Sequence, residues 1–212
     1  NVDRLATQGV YFRNAAVTTA ICGVSRATLL TGQWMSRHGQ HDFGMFKTPW
    51  TDTLPARLRA AGYQVAHVGK WHNGKFPAEN YDFGREYSGT HWITTPQGPM
   101  IHVTQKNESD ALEFLRTRDP KKPFYLQVAF FAPHAEDKHP QQYLPQPQSF
   151  ELFNDAPVKV PVNATPESAS RLPDFLSSPE NEGRHRWGWR FDTPGKYQMM
   201  MKNYLRLVAE VD

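Results

Sequence analysis

Thr53-Leu54-Pro55-Ala56-Arg57-Leu58-Arg59-Ala60-Ala61-Gly62-Tyr63-Gln64-Val65-Ala66-His67-Val68-Gly69-Lys70-Trp71-His72-Asn73-Gly74 carries two periods in succession. Leu54, Leu58 and Ala61 recur at helical spacing behind Thr53, a residue suited to capping a helix start, and Gly62 ends the pattern. Tyr63 to Val68 then reads as a strand, and Gly69 and Gly74 let the backbone turn sharply where it ends. A helix that feeds straight into a strand is the repeating unit of an α/β sheet.

The same alternation continues on both sides. Downstream, Val103 to Arg118 is amphipathic, with Ala111, Leu112 and Leu115 expected inward, and Phe124 to Phe131 is almost wholly apolar, as for a strand buried on both faces. Upstream, Val2 to Ala6 is helical with Gly9 as its stop, Val10 to Val17 reads as a strand, and Ser25 to Thr31 as a short helix closed by Gly32. Pro140 to Pro179 holds eight prolines and little periodicity, so a loop or insertion is expected over about 140–190. Its Tyr143, Phe150, Leu152, Phe153 and Phe175 are expected to pack onto the domain. Tyr197 to Asp212 is helical again. The whole reads as α/β, with a largely parallel central sheet flanked by helices. Because the chain opens inside an element, residues 1–212 are expected to be an internal part of a longer catalytic domain.

Composition narrows the chemistry. The chain has 212 residues, 39% hydrophobic and 21% charged, which suits a globular domain with a core rather than a disordered segment. A net charge of +3 without a basic run or aromatic-basic stripe gives no footprint for nucleic acid. No apolar run is long enough to cross a bilayer, and Asn1 opens no signal-peptide pattern. The single cysteine, Cys22, excludes an internal disulfide framework and a cysteine zinc cluster.

A lone cysteine is most often a small buried hydrophobe. Cys22 differs in its neighbourhood, Ala20-Ile21-Cys22-Gly23-Val24-Ser25-Arg26-Ala27-Thr28-Leu29-Leu30-Thr31-Gly32. It stands just before a helix N-terminus, where backbone N–H groups and the helix dipole favour an anion, and Arg26 follows one turn later on the same face. A nucleophile beside a guanidinium at such a place suits attack on a sulfate or phosphate ester. Only three residues separate Cys22 from Arg26, too few for the loop with which tyrosine phosphatases wrap a phosphate. Lys70 and His72 alternate with Trp71 past a strand end, where ligands of parallel sheets bind. His134, in Phe130-Phe131-Ala132-Pro133-His134, follows the second strand in the same way.

These runs together resemble the formylglycine-dependent (type I) sulfatases. Cys22, Ser25, Arg26, Leu30, Thr31 and Gly32 match the C-x-P-S-R motif and its L-T-G extension, with a departure at Val24, where the usual pattern has proline or alanine. Gly69-Lys70-Trp71-His72-Asn73-Gly74 matches G-K-W-H-x-G at every fixed position, and Ala132-Pro133-His134 is similar to the A-P-H segment. Asn1 to Phe12 resembles the segment preceding the cysteine. The likeness runs from residue 1 to about His134 and continues more loosely to Asp212.

The resemblance implies the alkaline-phosphatase-like α/β sandwich, of which this chain would be a portion. It implies oxidation of Cys22 to formylglycine by a maturation enzyme, and a calcium ion, or magnesium, bound in part by that residue. A hydroxyl of the hydrated aldehyde, bound to the metal and stabilised by Arg26 and His72, would attack sulfur. Lys70 and His134 would hold the sulfate oxygens, and the second hydroxyl would expel sulfate. The remaining metal ligands would lie outside residues 1–212, leaving this portion inactive by itself. Expected substrates are sulfated glycans or aryl sulfates, and the expected location is secreted, periplasmic or lysosomal. Phosphate or phosphonate monoester hydrolysis on the same fold, and a non-catalytic glycan-binding protein, are the alternatives. Asn107-Glu108-Ser109 and Asn163-Ala164-Thr165 are glycosylation sequons. Arg184-His185-Arg186-Trp187 reads as a solvated aromatic-basic loop.

Overall fold

A computed structural model describes residues 1–87, 89–95 and 98–212. They form two compact units, Asn1–Phe131 and Ala132–Asp212.

In the first unit the order is α1 (Val2–Gln8), α2 (Cys22–Thr31), α3 (Met35–His38), α4 (Leu54–Ala60), β1 (Gln64–Gly69), β2 (Phe83–Arg85), β3 (Trp92–Thr94), β4 (Met100–His102), α5 (Val103–Thr117) and β5 (Phe124–Ala129). Thr53 caps α4 by accepting from Ala56 N, and Gly62 takes a left-handed φ of 91° that turns the chain into β1. β1 is the middle strand of a parallel sheet ordered β2-β1-β5, with Ala66 opposite Phe83 on one side and Leu126 on the other. Its residues from Val65 to Gly69 are all buried, as expected for a strand paired on both edges. Leu30, Val65, Trp71 and Tyr81 form the core between α2 and the sheet, joined by Trp50, Leu58 and Phe76. β3 and β4 pair antiparallel as a separate ribbon.

Several expectations change. Val10–Val17 forms no strand; Val10, Tyr11, Phe12 and Val17 are exposed and no described strand lies beside them to take their hydrogen bonds. β5 is less buried than its composition suggests, because β1 is its only neighbour among the described strands. α5 faces inward with Val103, Thr104, Asn107, Asp110 and Phe114, not with Leu112 and Leu115, which stay exposed. The buried stripe keeps helical spacing but mixes polar with apolar residues, so apolar positions alone misplace the face.

The second unit holds α6 (Pro166–Ser170), α7 (Asp174–Ser177), α8 (Glu182–Arg190) and α9 (Pro194–Val211). Its core is Ala132, Ala135, Tyr143, Met200 and Leu207. The proline-rich segment therefore contains short helices, and Arg184–Trp187 lies in α8 rather than in a loop. Of the apolar residues expected to anchor it, only Tyr143 is buried; Phe150, Leu152, Phe153 and Phe175 remain exposed. The 150–154 and 158–159 stretches are tied to α9 by polar groups. Arg206 donates to Phe150 O and Leu152 O, Gln198 exchanges hydrogen bonds with Val158, and Tyr197 donates to Lys159 O. Loops whose backbone polar groups cannot pair with each other need such partners.

Candidate active site

α2 starts at Cys22 itself, with Ile21 as its extended N-cap. Ser25 N makes the first intrahelical bond, to Ile21 O (2.8 Å), so the N–H groups of Cys22, Gly23 and Val24 belong to the helix's open first turn. Val24 is fully buried in that turn. A proline there would keep the helix, since the first turn uses no intrahelical N–H. The L-T-G extension is structural: Leu30 enters the core, Thr31 bonds Ala27 O (2.7 Å), and Gly32 closes the helix at φ 65°.

At the end of β1, Gly69 has φ 98°, and a Cβ there would lie 2.3 Å from Ala129 O and 2.5 Å from Asn107 Nδ2. Only glycine fits, and this close approach sets the direction in which Lys70 leaves the strand. Lys70 N donates to Ala129 O (2.8 Å) and Arg26 Nη1 donates to Lys70 O (2.8 Å). Lys70 is buried, and its ammonium lies 5.6 Å from the centre of the Phe131 ring. His72 takes φ 61°, so the chain curls after Trp71 instead of continuing extended. The imidazole thereby meets the nucleophile position, with Cys22 Sγ and His72 Nδ1 at 3.0 Å. With its amide oriented to donate, buried Asn73 reaches Gly23 O (2.8 Å) and His72 O (3.2 Å), binding the turn to α2.

Four of the expected site residues thus come together. Arg26 and Cys22 share a helix face, Arg26 holds the Lys70 backbone, and His72 contacts Cys22. Burial lowers the Arg26 pKa from its usual range, with the Cys22 charge acting in the opposite direction; a guanidinium stays cationic through such a change. His134 belongs to the second unit, where its Nδ1–H donates to Ala135 O (2.7 Å). Among the described residues, no group of three or more His, Cys, Asp or Glu side chains is placed to hold a metal ion.

Two contributors are not legible as chemistry in the sequence. Asn73 occupies the variable position of its motif. Phe43 stacks on His72, ring centres 5.1 Å apart and 25° from parallel, yet it sits in a loop without periodicity.

The sulfatase family profile matches residues 1–212 in full. The chain belongs to the sulfatase family. It is 31% identical over 174 residues to an N-acetylglucosamine-6-O-sulfatase of Bacteroides thetaiotaomicron, covering 77% of this chain and 30% of that protein. It is 25% identical over 212 residues to an arylsulfatase of Clostridium perfringens, covering 76% and 42%. Among solved structures, a protein in complex with its substrate D-glucosamine-2-N,6-O-disulfate superposes with a TM-score of 0.70 at 24% identity, over 99% of this chain and 54% of that one. The fold is accordingly the alkaline-phosphatase-like α/β sandwich of the sulfatases. The chain spans less than half the length of these two curated relatives. Family membership implies formylglycine and a divalent metal in general. No helix among the described residues is long and apolar enough to cross a membrane.

Proposed function

We propose that the whole protein hydrolyses sulfate esters, of sulfated glycans or aryl alcohols, at Cys22 matured to formylglycine. The observation that carries this reading is the meeting of Cys22 and Arg26 with Lys70 and His72, from motifs 50 residues apart for the Cys22–His72 pair. An aldehyde at residue 22, once hydrated, supplies two hydroxyls on one carbon, so sulfate taken up through one is expelled through the other. An unmodified thiol or alcohol has no second hydroxyl.

The other residues bind, orient and move protons. Arg26, one turn from residue 22, offsets negative charge there while fixing the Lys70 backbone. His72, at hydrogen-bond distance from the residue 22 side chain, orients it and exchanges its proton. Lys70 supplies a buried cation for the sulfate oxygens, where low dielectric strengthens its effect. His134 is proposed as a second sulfate ligand. Calcium, with magnesium as the alternative, is the hard cation proposed, its remaining ligands coming from outside residues 1–212. The proposed partners are a formylglycine-generating maturation enzyme and the sulfated substrate, in a secreted, periplasmic or lysosomal setting. The relatives' names support a glycan or aryl substrate.

The test is turnover of matched aryl sulfate and aryl phosphate esters by the full-length protein, made with a maturation system and assayed with calcium. The expected result is a preference for sulfate that Cys22→Ala abolishes. Preference for phosphate would assign a monoester hydrolase instead. No turnover of either, or of sulfated glycans, would favour a glycan-binding role.

A further inference from the structure

The antiparallel ribbon β3–β4 stands apart from the parallel sheet, and two fully buried histidines lie at its ends. His102 closes β4 opposite Trp92, which packs edge-on against it, ring centres 5.0 Å apart at 78°. His91, just before β3, stacks on His102 at 5.7 Å and 10° from parallel, and its carbonyl accepts from Val103 N (2.7 Å). His102 also caps α5 by accepting from Thr104 N (3.3 Å). The next ring in the row is Phe131, its centre 5.0 Å from that of His91, at 63°. The ribbon and the start of α5 thus fix the placement of one phenylalanine, 4% exposed, just past the end of β5.

Lys70 Nζ stands over this ring, 5.6 Å from its centre, and Lys70 is itself only 5% exposed. The main chain keeps the two in step: Gly69 pairs with Ala129, and Lys70 N donates to Ala129 O (2.8 Å), two residues before Phe131. A buried ammonium loses the hydration that favours its charged form. A carboxylate partner would restore that stability but cancel the charge. An aromatic face attracts the cation through its quadrupole and leaves the unit charge available to an anion. Burial strengthens both attractions.

We infer that Phe131 is a positioning residue for the Lys70 ammonium: its ring, fixed by His91 and the β3–β4 ribbon, holds the cation charged and in place for the sulfate group. This rests on the sulfatase reading and adds to it the seat that prepares Lys70 for anion binding. Phe131 acts through Lys70 and does not itself touch substrate. Its contribution is electronic, so it depends on the electron density of the ring and not on ring size alone.

The experiment uses full-length protein, matured and supplied with calcium, in which residue 131 is phenylalanine or its 4-fluoro or 3,4,5-trifluoro analogue. Fluorine withdraws density from the ring face and barely changes ring size, so it weakens the cation contact while keeping the packing. Inorganic sulfate is titrated in and followed by the carbon-13 signal of the Lys70 ε-carbon, assigned as the one missing in Lys70→Arg. Turnover of 4-nitrophenyl sulfate and the urea unfolding midpoint are measured alongside. The sulfate Kd is expected to rise with fluorine number, to roughly tenfold for the trifluoro ring, with kcat/KM falling in step and the unfolding midpoint unchanged. A Kd that is flat or falls across the series, or a Lys70 signal that does not respond to sulfate, overturns the seat. So does a Kd that follows the unfolding midpoint instead of fluorine number, which would show that Phe131 serves packing alone. The two readings separate cleanly. Graded sulfate binding without turnover of any sulfate ester would leave the seat standing and sink the sulfatase reading, and turnover with a flat Kd would do the reverse.

Discussion

Arg26 Nη1 donates to the main-chain oxygen of Lys70 at 2.8 Å. One guanidinium therefore serves two motifs: it shares a helix face with Cys22 and fixes the main chain at Lys70. Arg26→Ala should lower kcat/KM on sulfate esters by about 10²–10³, the range for losing one aligned charged donor. Arg26→Lys should recover little of it, because an ammonium at that position cannot reproduce the planar donor set. Steady-state kinetics, with circular dichroism to confirm folding, measure both.

Gly69 permits the turn that makes this possible. Gly69→Ala forces a Cβ against Ala129 O and Asn107 Nδ2 at an unfavourable φ. We expect a loss of at least about 2–4 kcal/mol in urea unfolding of the full-length protein, together with loss of activity.

His67, on β1, is buried among Trp71, Phe76 and Tyr81 and bonds Gly69 O (3.2 Å). Burial depresses its pKa to about 4. The folded ring stays neutral where the unfolded one, at about 6.5, takes up a proton, so the unfolded state gains as pH falls between these values. Acidification from about pH 6.5 to about 4 should cost on the order of 3 kcal/mol through this group. Thermal unfolding across that range should show His67→Phe with a correspondingly smaller drop.

The two sequons should behave differently. Asn107 is 0% exposed, inside the α5 face next to Gly69, whereas Asn163 lies exposed before α6. Expression through a eukaryotic secretory pathway, followed by glycopeptide mass spectrometry of folded protein, should find glycan at Asn163 and none at Asn107.

How much of this the sequence carries depends on how local the cause is. Thr53 acts through its own side-chain cap, and Gly62 and Gly69 through their own backbone, so α4, β1 and the turn are legible from single residues. Cys22 and Arg26 are legible because helical spacing alone sets them on one face. Alternation past Trp71 suggests an extended segment that points Lys70 and His72 the same way, but His72 adopts φ 61° and meets Cys22 through that curl. The α5 face is misread because Asn107 and Asp110 are buried polar residues, and hydrophobic period cannot find them. Val10–Val17 has strand composition but no strand beside it among the described residues, and pairing is not a local property. Phe43 stacks on His72 from a loop, a contact that no spacing rule encodes.

The most direct measurement is the mass of the peptide containing residue 22 in active, full-length protein made beside a maturation system. The account predicts an aldehyde in place of the Cys22 thiol, reactive toward a hydrazide probe, with activity proportional to its fraction despite Val24. Unmodified cysteine throughout a preparation that turns over sulfate esters would contradict it.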